Sequence, residues 1–280
     1  MDRRQALGGL TAMSALALAG CANLQTQLIP VPSPSAGSGG SPSPYPVATP
    51  PPASGTAPTP DPTPTVQPAP NVEKVSRPPG AIYELPGKGS LLAWTVDDGI
   101  SSDVVAGYAQ FAAETGTRIT FFPNGKYDSW FNNAAALRPL VDSGQVQLGN
   151  HTFSHPDLTK LSDAGIVGEL LKNAAVLKNT FGVDPAPYYR PPYGYLDKRV
   201  QRVASGIGYT APVMWYGSLS DSSRLEPWQV LGFAKQWFLP QHIVIGHANF
   251  PAVTLAFPQL LDLLRERGLV TVTLDDVFTK

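Results

Sequence analysis

The side chains best suited to chemistry stand in four short groups, each directly after a predicted β-strand. Asp97 and Asp98 follow the first strand, and His151 and His155 follow the third. One further group contains an arginine, Arg190-Pro191-Pro192-Tyr193-Gly194, and another ends in a histidine, Ile243-Val244-Ile245-Gly246-His247. Three of the four histidines of the chain belong to this set. Two imidazoles with H-x3-H spacing, together with one carboxylate, are a typical donor set for a catalytic metal.

Each group also has a purely structural interpretation. Asp97-Asp98-Gly99 is compatible with a turn that ends a strand, and Arg190-Pro191-Pro192 with a rigid loop that holds one ion pair. Taken singly, the groups do not distinguish a metal site from ordinary loops. Their shared position favours a common site, because α/β barrels carry their active sites at the carboxyl ends of the strands.

The elements that must position these groups alternate between short apolar runs and amphipathic segments. The segment 163–181 carries Ile166, Leu170, Ala174 and Leu177 on one helical face. Strands are predicted at 91–96, 118–122, 146–149, 188–189, 209–214, 242–245 and 269–273, and helices at 102–115, 132–142, 163–181 and 257–267, the last followed by Gly268 as a cap. This alternation predicts an α/β fold with a mostly parallel sheet, an irregular or incomplete (β/α) barrel at this length.

In this order and spacing, the four groups resemble the motifs of the polysaccharide deacetylase family, the carbohydrate esterase family 4 built on the NodB homology domain. The resemblance runs from about Leu91 to Phe278 and includes Pro156-Asp157-Leu158-Thr159 and Val272-Thr273-Leu274-Asp275-Asp276. It implies a fold of the NodB type and a metal-dependent hydrolase that removes N-acetyl groups from a polysaccharide.

The resemblance also implies a role for each residue. Asp98, His151 and His155 would hold the metal, with Zn²⁺ as the first choice and Co²⁺, Mn²⁺ or Ni²⁺ as alternatives. Asp97 would be the general base for the attacking water, and Arg190 would keep it ionised and oriented.

Two further roles concern the reacting amide. The backbone N–H of Tyr193 would help to stabilise the oxyanion, and His247 would be the general acid that protonates the leaving amine. Aromatic residues near the motifs are candidates for a sugar platform and equally for the core: Tyr127, Trp130, Tyr195, Trp215 and Trp228.

One motif departs from the family pattern, in the stretch that begins at Trp215. Tyr216 stands where the family has an aspartate, and Ser222 stands where it usually has a tryptophan. Asp221 is placed to serve His247 by raising its pKa, although a plain loop carboxylate is also compatible with the spacing. The wall of the substrate groove is therefore expected to differ.

The first twenty residues are typical of an export signal, with Arg3 and Arg4 before an apolar stretch at 7–19. Leu18-Ala19-Gly20-Cys21 resembles a bacterial lipobox, which implies cleavage before Cys21 and lipid attachment to its sulfur. The alternative is an ordinary secretory signal with a chance cysteine. Export by the general secretory route and by the twin-arginine route are both compatible with these residues.

The next segment, 21–80, is predicted to be a disordered tether, since 17 of the 30 prolines fall between Pro30 and Pro79. The catalytic domain is predicted at 81–280. Because the formal net charge is -1 and Lys and Arg do not cluster, nucleic acid is not expected as a partner. Cys21 is the one cysteine, so no intrachain disulfide is possible. The tether makes a monomer the default expectation.

The leading hypothesis is an N-deacetylase for an acetylated polysaccharide, most simply peptidoglycan or another envelope glycan. The chain would be held outside the cytoplasm by the lipid anchor at Cys21. Two alternatives remain open: a non-catalytic glycan-binding lipoprotein on the same fold, and a hydrolase of O-acetyl esters of the xylan type or of other amides.

Overall fold

The computed structural model describes residues 69–279. The predicted signal peptide, Cys21 and the tether up to residue 68 lie outside the described residues. Val75 pairs with Phe278, so contacts with the domain begin before the boundary predicted at Ala81. In the described part, no helix combines the length and the apolar character needed to cross a membrane.

A parallel sheet lies at the centre of the domain. Its strands are β1 (Leu91–Asp98), β2 (Ile119–Pro123), β3 (Val146–Leu148), β6 (Gly217–Ser218), β7 (Ile243–His247) and β8 (Val270–Thr271), and β4 (Tyr188–Tyr189) pairs with β5 (Ala211–Pro212) in a second sheet. The strand order is β3-β2-β1-β7-β6, with β8 paired to the first residues of β1. Because β1 is covered on both faces, its sequence is an almost continuous apolar run before Asp97.

Isolated bridges continue the arrangement between the two sheets. Asn150 joins Tyr189 of β4 beyond the end of β3, and Ile82 joins Val213 just after β5. Glu84 then pairs with His242 at the start of β7. The result is the α/β fold that was predicted, an irregular barrel in which short bridges replace some of the strand pairing.

Helices pack around this sheet. They are α1 (Ser102–Thr115), α2 (Ser129–Asn132), α3 (Ala134–Asp142), α4 (Asp163–Phe181), α5 (Lys198–Ser205), α6 (Pro227–Trp237), α7 (Ala252–Glu266) and α8 (Leu274–Val277). α1 and α4 have the predicted bounds, because Ser101 and Ser162 cap their first turns and Gly116 and Gly182 end them in the left-handed conformation. Trp94 of β1 packs edge-on against Tyr108 and Phe111 of α1, which fastens this helix to the sheet.

Other predicted bounds need correction. The segment 132–142 is divided between α2 and α3, and α7 begins at Ala252 rather than at 257. The strand predicted at 209–214 is only Ala211–Pro212. α5, α6 and β6 were not predicted from the sequence.

A buried ion pair joins the amino-terminal edge of the sheet to the end of the domain. Arg118 donates to both carboxylate oxygens of Asp276, at 2.6 and 2.8 Å, and also to the carbonyl of Gly144 at 2.6 Å. Asp276 in turn accepts from the backbone N–H of Thr273 at the start of α8. One residue therefore ties together β2, the turn before β3 and the last helix.

Removal of one partner should leave an uncompensated buried charge. We expect Asp276→Ala to lower the free energy of unfolding by about 3–5 kcal/mol in urea titrations. The exposed Asp262, which pairs with Arg265 at 3.8 Å, is the matched control. Asp262→Ala should change stability by less than about 0.5 kcal/mol; equal losses in the two variants would contradict this interpretation.

Candidate active site

The end of β1 presents two consecutive carboxylates. Successive side chains of a strand point to opposite faces, but Asp98 leaves the strand with a φ of 71°. The indole Nε1 of Trp130 donates to its carbonyl at 2.9 Å and so holds this turn. Gly99 has a φ of 100°, and a Cβ at this position would lie 2.3 Å from Trp130 Nε1. Trp130 therefore belongs to the core, and only glycine fits between it and the two aspartates.

Asp97 is held by a buried arginine. Arg190 Nη1 donates to Asp97 Oδ1 at 2.6 Å, and both side chains are almost wholly buried. The other oxygen, Oδ2, lies 3.4 Å from Nε2 of His151. The guanidinium fixes the direction of the carboxylate and leaves one oxygen facing the neighbouring histidine.

The remaining donors of Arg190 are also used. Nε donates to the carbonyl of Val213 at 3.0 Å, and Nη2 donates to that of Met214 at 3.1 Å. Phe122 lies against the guanidinium at 4.3 Å. Burial lowers the pKa of Arg190 and the Asp97 carboxylate opposes this effect. The short segment after β5 therefore positions the arginine, which positions Asp97.

Asp98, His151 and His155 converge as the sequence predicted. One ligand atom from each lies within 4.8 Å of the other two. Nε2 of both histidines is 3.5 Å from Asp98 Oδ1. Nδ1 of His151 lies 2.7 Å from the carbonyl of Arg190, which can only accept, so Nδ1 carries the proton and Nε2 is free to bind a metal.

The electrostatics of His155 also suit a ligand. Burial, followed by the charge of His151, lowers the pKa of His155 to about 4. Its imidazole is therefore neutral near pH 7, as metal binding requires. The donor set, the tautomer of His151 and the neutral His155 together fit a divalent metal such as Zn²⁺.

The loop that carries the histidines is held by buried asparagines. Asn124 donates to the carbonyls of His151 and Thr152, and Asn150 accepts from the backbone N–H of Thr152 at 2.9 Å. Thr152 and His155 have φ values of 68° and 64°. These hydrogen bonds fix a conformation that the backbone alone would not favour.

Asn249 is a site residue that the sequence reasoning missed. Its Nδ2 donates to Asp98 Oδ2 at 2.7 Å, which leaves Oδ1 toward the histidines. Burial raises the pKa of Asp98, but His151, His247 and this hydrogen bond outweigh it, and the pKa is lowered overall. The signal in the sequence was its position two residues after His247, where a polar side chain returns to the same face of the strand end.

Asp221 and His247 form a hydrogen-bonded pair at the site. Asp221 Oδ1 lies 3.0 Å from Nδ1 of His247, and Oδ2 accepts from the His247 backbone N–H at 3.1 Å. Burial lowers the pKa of His247, but the hydrogen bond and charge of Asp221 outweigh it, so the pKa is raised above 6.5. The structure thus places the uncertain carboxylate against the histidine, and Nδ1 is committed to it.

A cavity of about 420 Å³ opens between the metal-cluster residues, Asp97 and His247, with Arg190 and Asp221 behind its lining. It is lined by Asp97, Asp98, His151, His155, Tyr193, Trp215, Ser218, Ser222, Ile245, His247 and Asn249, among others. Tyr193 has a φ of 61° and stacks edge-on against His155 at 4.6 Å. Of the aromatic candidates, Trp215 lines the cavity, whereas Tyr195 and Trp228 are exposed and Tyr127 packs against the core.

An irregular α/β barrel with a carboxylate–dihistidine cluster, an aspartate paired with arginine and an Asp–His pair has the donor set and proton-transfer groups that a metal-dependent hydrolase needs. Residues 85–212 match the family model described as polysaccharide deacetylase. This segment of the chain is therefore similar to polysaccharide deacetylase domains. The matched range includes the metal cluster, Asp97 and Arg190, and it ends before Asp221 and His247.

Among curated relatives, the chain is 35% identical over 157 residues to chitin deacetylase 1 of Cryptococcus neoformans var. grubii, covering 54% of this chain and 32% of the relative. It is 27% identical over 187 residues to the peptidoglycan-N-acetylglucosamine deacetylase PgdA of Listeria monocytogenes, covering 67% and 38%. The match thus spans about a third of these relatives' own length. A solved CE4 family pseudoenzyme from Bacillus anthracis shares the fold, with a TM-score of 0.63 and 21% identity over 72% of this chain and 69% of that one.

The role assigned to Asn249 can be tested through metal affinity. Asn249→Ala frees Asp98 to rotate, so we expect affinity for Zn²⁺ to fall about 10- to 100-fold, measured by competition with a chromogenic chelator. Asn133→Ala is the control, because Asn133 makes comparable amide hydrogen bonds at Ser102 and Ser129, outside the cluster. Unchanged affinity in Asn249→Ala would show that Asp98 is oriented without it.

The Asp221–His247 contact predicts a shift in a titration. In Asp221→Asn the burial of His247 is no longer outweighed, so the pKa of His247 should fall below that of the wild type. The check is a ¹H–¹⁵N NMR titration of the imidazole nitrogens in metal-free protein. The signals of His242, which contacts the Trp237 carbonyl instead, should not change between the two proteins. If the pKa of His247 is the same in Asp221→Asn and in the wild type, Asp221 does not control the protonation of His247.

Proposed function

We propose that the chain is a metal-dependent hydrolase that removes N-acetyl groups from N-acetylhexosamine polymers of the cell envelope, with peptidoglycan as the first choice. The observation that carries the proposal is the content of one cavity. It holds a metal donor set, a carboxylate oriented by arginine and a histidine oriented by aspartate. A site that only bound sugar would have no use for all three.

The metal site would be formed by Asp98, His151 and His155, with Zn²⁺ as the proposed ion. Bound there, it would polarise the acetyl carbonyl and make the attacking water easier to deprotonate. Asp97 then accepts the proton of that water. Because Arg190 occupies Oδ1, the oxygen available for this transfer is Oδ2, on the side of His151.

Amide hydrolysis also needs a proton for the departing nitrogen. His247 supplies it, since Nδ1 is bound to Asp221 and the other ring nitrogen is the one left for the cavity. The contacts of Asp221 raise the pKa of His247, which favours the protonated imidazole that a general acid requires. The backbone N–H of Tyr193 is proposed as the donor to the developing oxyanion.

The substrate class rests on the relatives. The name of one relative specifies chitin, and the name of another specifies N-acetylglucosamine in peptidoglycan. Both polymers contain an N-acetylated amino sugar. The 420 Å³ cavity is large enough for one such sugar with its acetamido group. The shared chemistry is therefore an acetamide on a pyranose ring.

We also propose that the protein is exported and anchored through a lipid on Cys21. The lipobox-like segment Leu18-Ala19-Gly20-Cys21, which follows Arg3, Arg4 and an apolar stretch, supports this arrangement. A monomer is sufficient, because one chain supplies every group of the site.

The central test is release of acetate by the full chain, stripped of metal and then restored with Zn²⁺, from N-acetylglucosamine oligomers and from peptidoglycan. Asp97→Asn should reduce the rate by about 10²- to 10⁴-fold, because the proton acceptor is lost while the shape is kept. Asp262→Asn, on the exposed face of α7, is the control and should match the wild type.

Two outcomes would redirect the proposal. Acetate release from acetylated xylan without release from either amide substrate would indicate an esterase. A folded, metal-bound protein that retains glycan but releases no acetate from any of the three would indicate a binding protein.

A further inference from the structure

Tyr108, on the buried face of α1, carries a polar group that the site described above does not use. Its side chain is wholly inaccessible to solvent, and its hydroxyl has no hydrogen-bond partner among the described residues. A buried hydroxyl left unpaired is unfavourable, so a partner nearby is expected. Burial, followed by the charge of Asp221, raises the pKa of Tyr108 well above its usual value, so the group is a protonated donor.

The acceptor that the structure offers is Asp221. The two groups meet above Gly246, the residue before His247. A Cβ on Gly246 would lie 3.3 Å from the Tyr108 hydroxyl and 3.4 Å from Asp221 Oδ2. Both atoms border the same small space, together with Leu219 Cδ1 at 3.2 Å from the same point, so a small rotation of either side chain or one bridging water would join the hydroxyl to the carboxylate.

A second buried donor stands behind Tyr108. Trp94 packs edge-on against the Tyr108 ring, with centroids 5.8 Å apart, and its buried indole N–H acts on the Tyr108 hydroxyl, where it partly opposes the rise in the pKa of Tyr108. Trp94, Tyr108 and Asp221 therefore form a row of polar groups that runs from the core of β1 and α1 to His247.

We propose that Tyr108 is a positioning residue for the general acid: its hydroxyl donates to Asp221 Oδ2 and so fixes the carboxylate that orients His247. Asp221 already accepts from Nδ1 and from the backbone N–H of His247. A third donor would complete its coordination and prevent the carboxylate from rotating away in a site with no solvent to replace it. This inference rests on the proposed function, because it assigns Tyr108 to one step of amide hydrolysis.

The test uses the different needs of two leaving groups. An amine must be protonated to depart, whereas the 4-nitrophenolate of 4-nitrophenyl acetate departs unaided. Tyr108→Phe in the Zn²⁺-loaded full chain should lower kcat on an N-acetylglucosamine oligomer about 10-fold with little change in KM. Hydrolysis of 4-nitrophenyl acetate should stay within about twofold of the wild type.

The matched control is Tyr189→Phe. Tyr189 is equally buried and its hydroxyl is also unpaired among the described residues, but its ring packs against Tyr209, away from Asp221. This variant should leave both rates unchanged. Gly246→Ala is a second variant that tests the same contact. Its added methyl group would enter the space between Tyr108 and Asp221 while both side chains remain. It should reproduce the selective loss on the amide.

A readout independent of turnover is the Nδ1 proton resonance of His247 in metal-free protein. Loss of a competing donor strengthens the acceptor, so this resonance should move downfield in Tyr108→Phe and not in Tyr189→Phe. Equal losses on amide and ester, or an unmoved resonance, would overturn the role of Tyr108. A wild type inactive on every acetylated glycan would refute the proposed function instead, and the resonance would still decide whether Tyr108 contacts Asp221.

Discussion

The burial of two adjacent carboxylates, Asp97 and Asp98, is the constraint that explains most of the surrounding structure. Removing one ionised carboxylate from water costs several kcal/mol unless it is paired, and two side by side also repel each other. Asp97 is compensated by a fully buried Arg190, whose other donors bind two backbone carbonyls. Asp98 has an amide from Asn249 and two imidazoles. A divalent ion held by Asp98 and the two imidazoles would complete the charge balance.

A second consequence of this arrangement concerns the backbone. Within residues 69–279, six non-glycine residues have positive φ, and five of them lie at the site: Asp98, Thr152, His155, Tyr193 and Ser220. The left-handed conformation is unfavourable for such residues by about 1–2 kcal/mol each. It persists because buried side chains bind the neighbouring backbone, as Trp130 does at Asp98 and Asn124 does at Thr152. The functional side chains are therefore held in place by buried neighbours such as Trp130 and Asn124, which do not themselves line the proposed metal site.

The sequence predicted the elements whose signals are local and missed those whose signals are not. The bounds of α1 and α4 were correct because serine caps, terminal glycines and a single apolar face lie within each segment. β6 consists of two residues, and it exists only because Gly217 and Ser218 pair with β7. Asn249 was missed for the same reason, since its partner Asp98 is 151 residues away. The metal cluster was predictable because its residues occur in motifs. Asp221 remained ambiguous until the fold placed it against His247.

The stretch that begins at Trp215, which departs from the family pattern, bears on the wall of the groove and leaves the contacts of His247 in place. Tyr216 replaces an expected aspartate, yet its side chain is exposed and its ring lies 4.3 Å from that of His242, outside the cavity. The loss of that aspartate therefore removes nothing that faces His247. Ser222, by contrast, does line the cavity, where a small hydroxyl side chain leaves more room than an indole. Asp221 precedes it, is 1% exposed and keeps both contacts with His247. A single loop thus places Asp221, which orients His247, directly before Ser222, which lines the cavity, so a change at Ser222 can alter the width of the groove without moving the His247 contact.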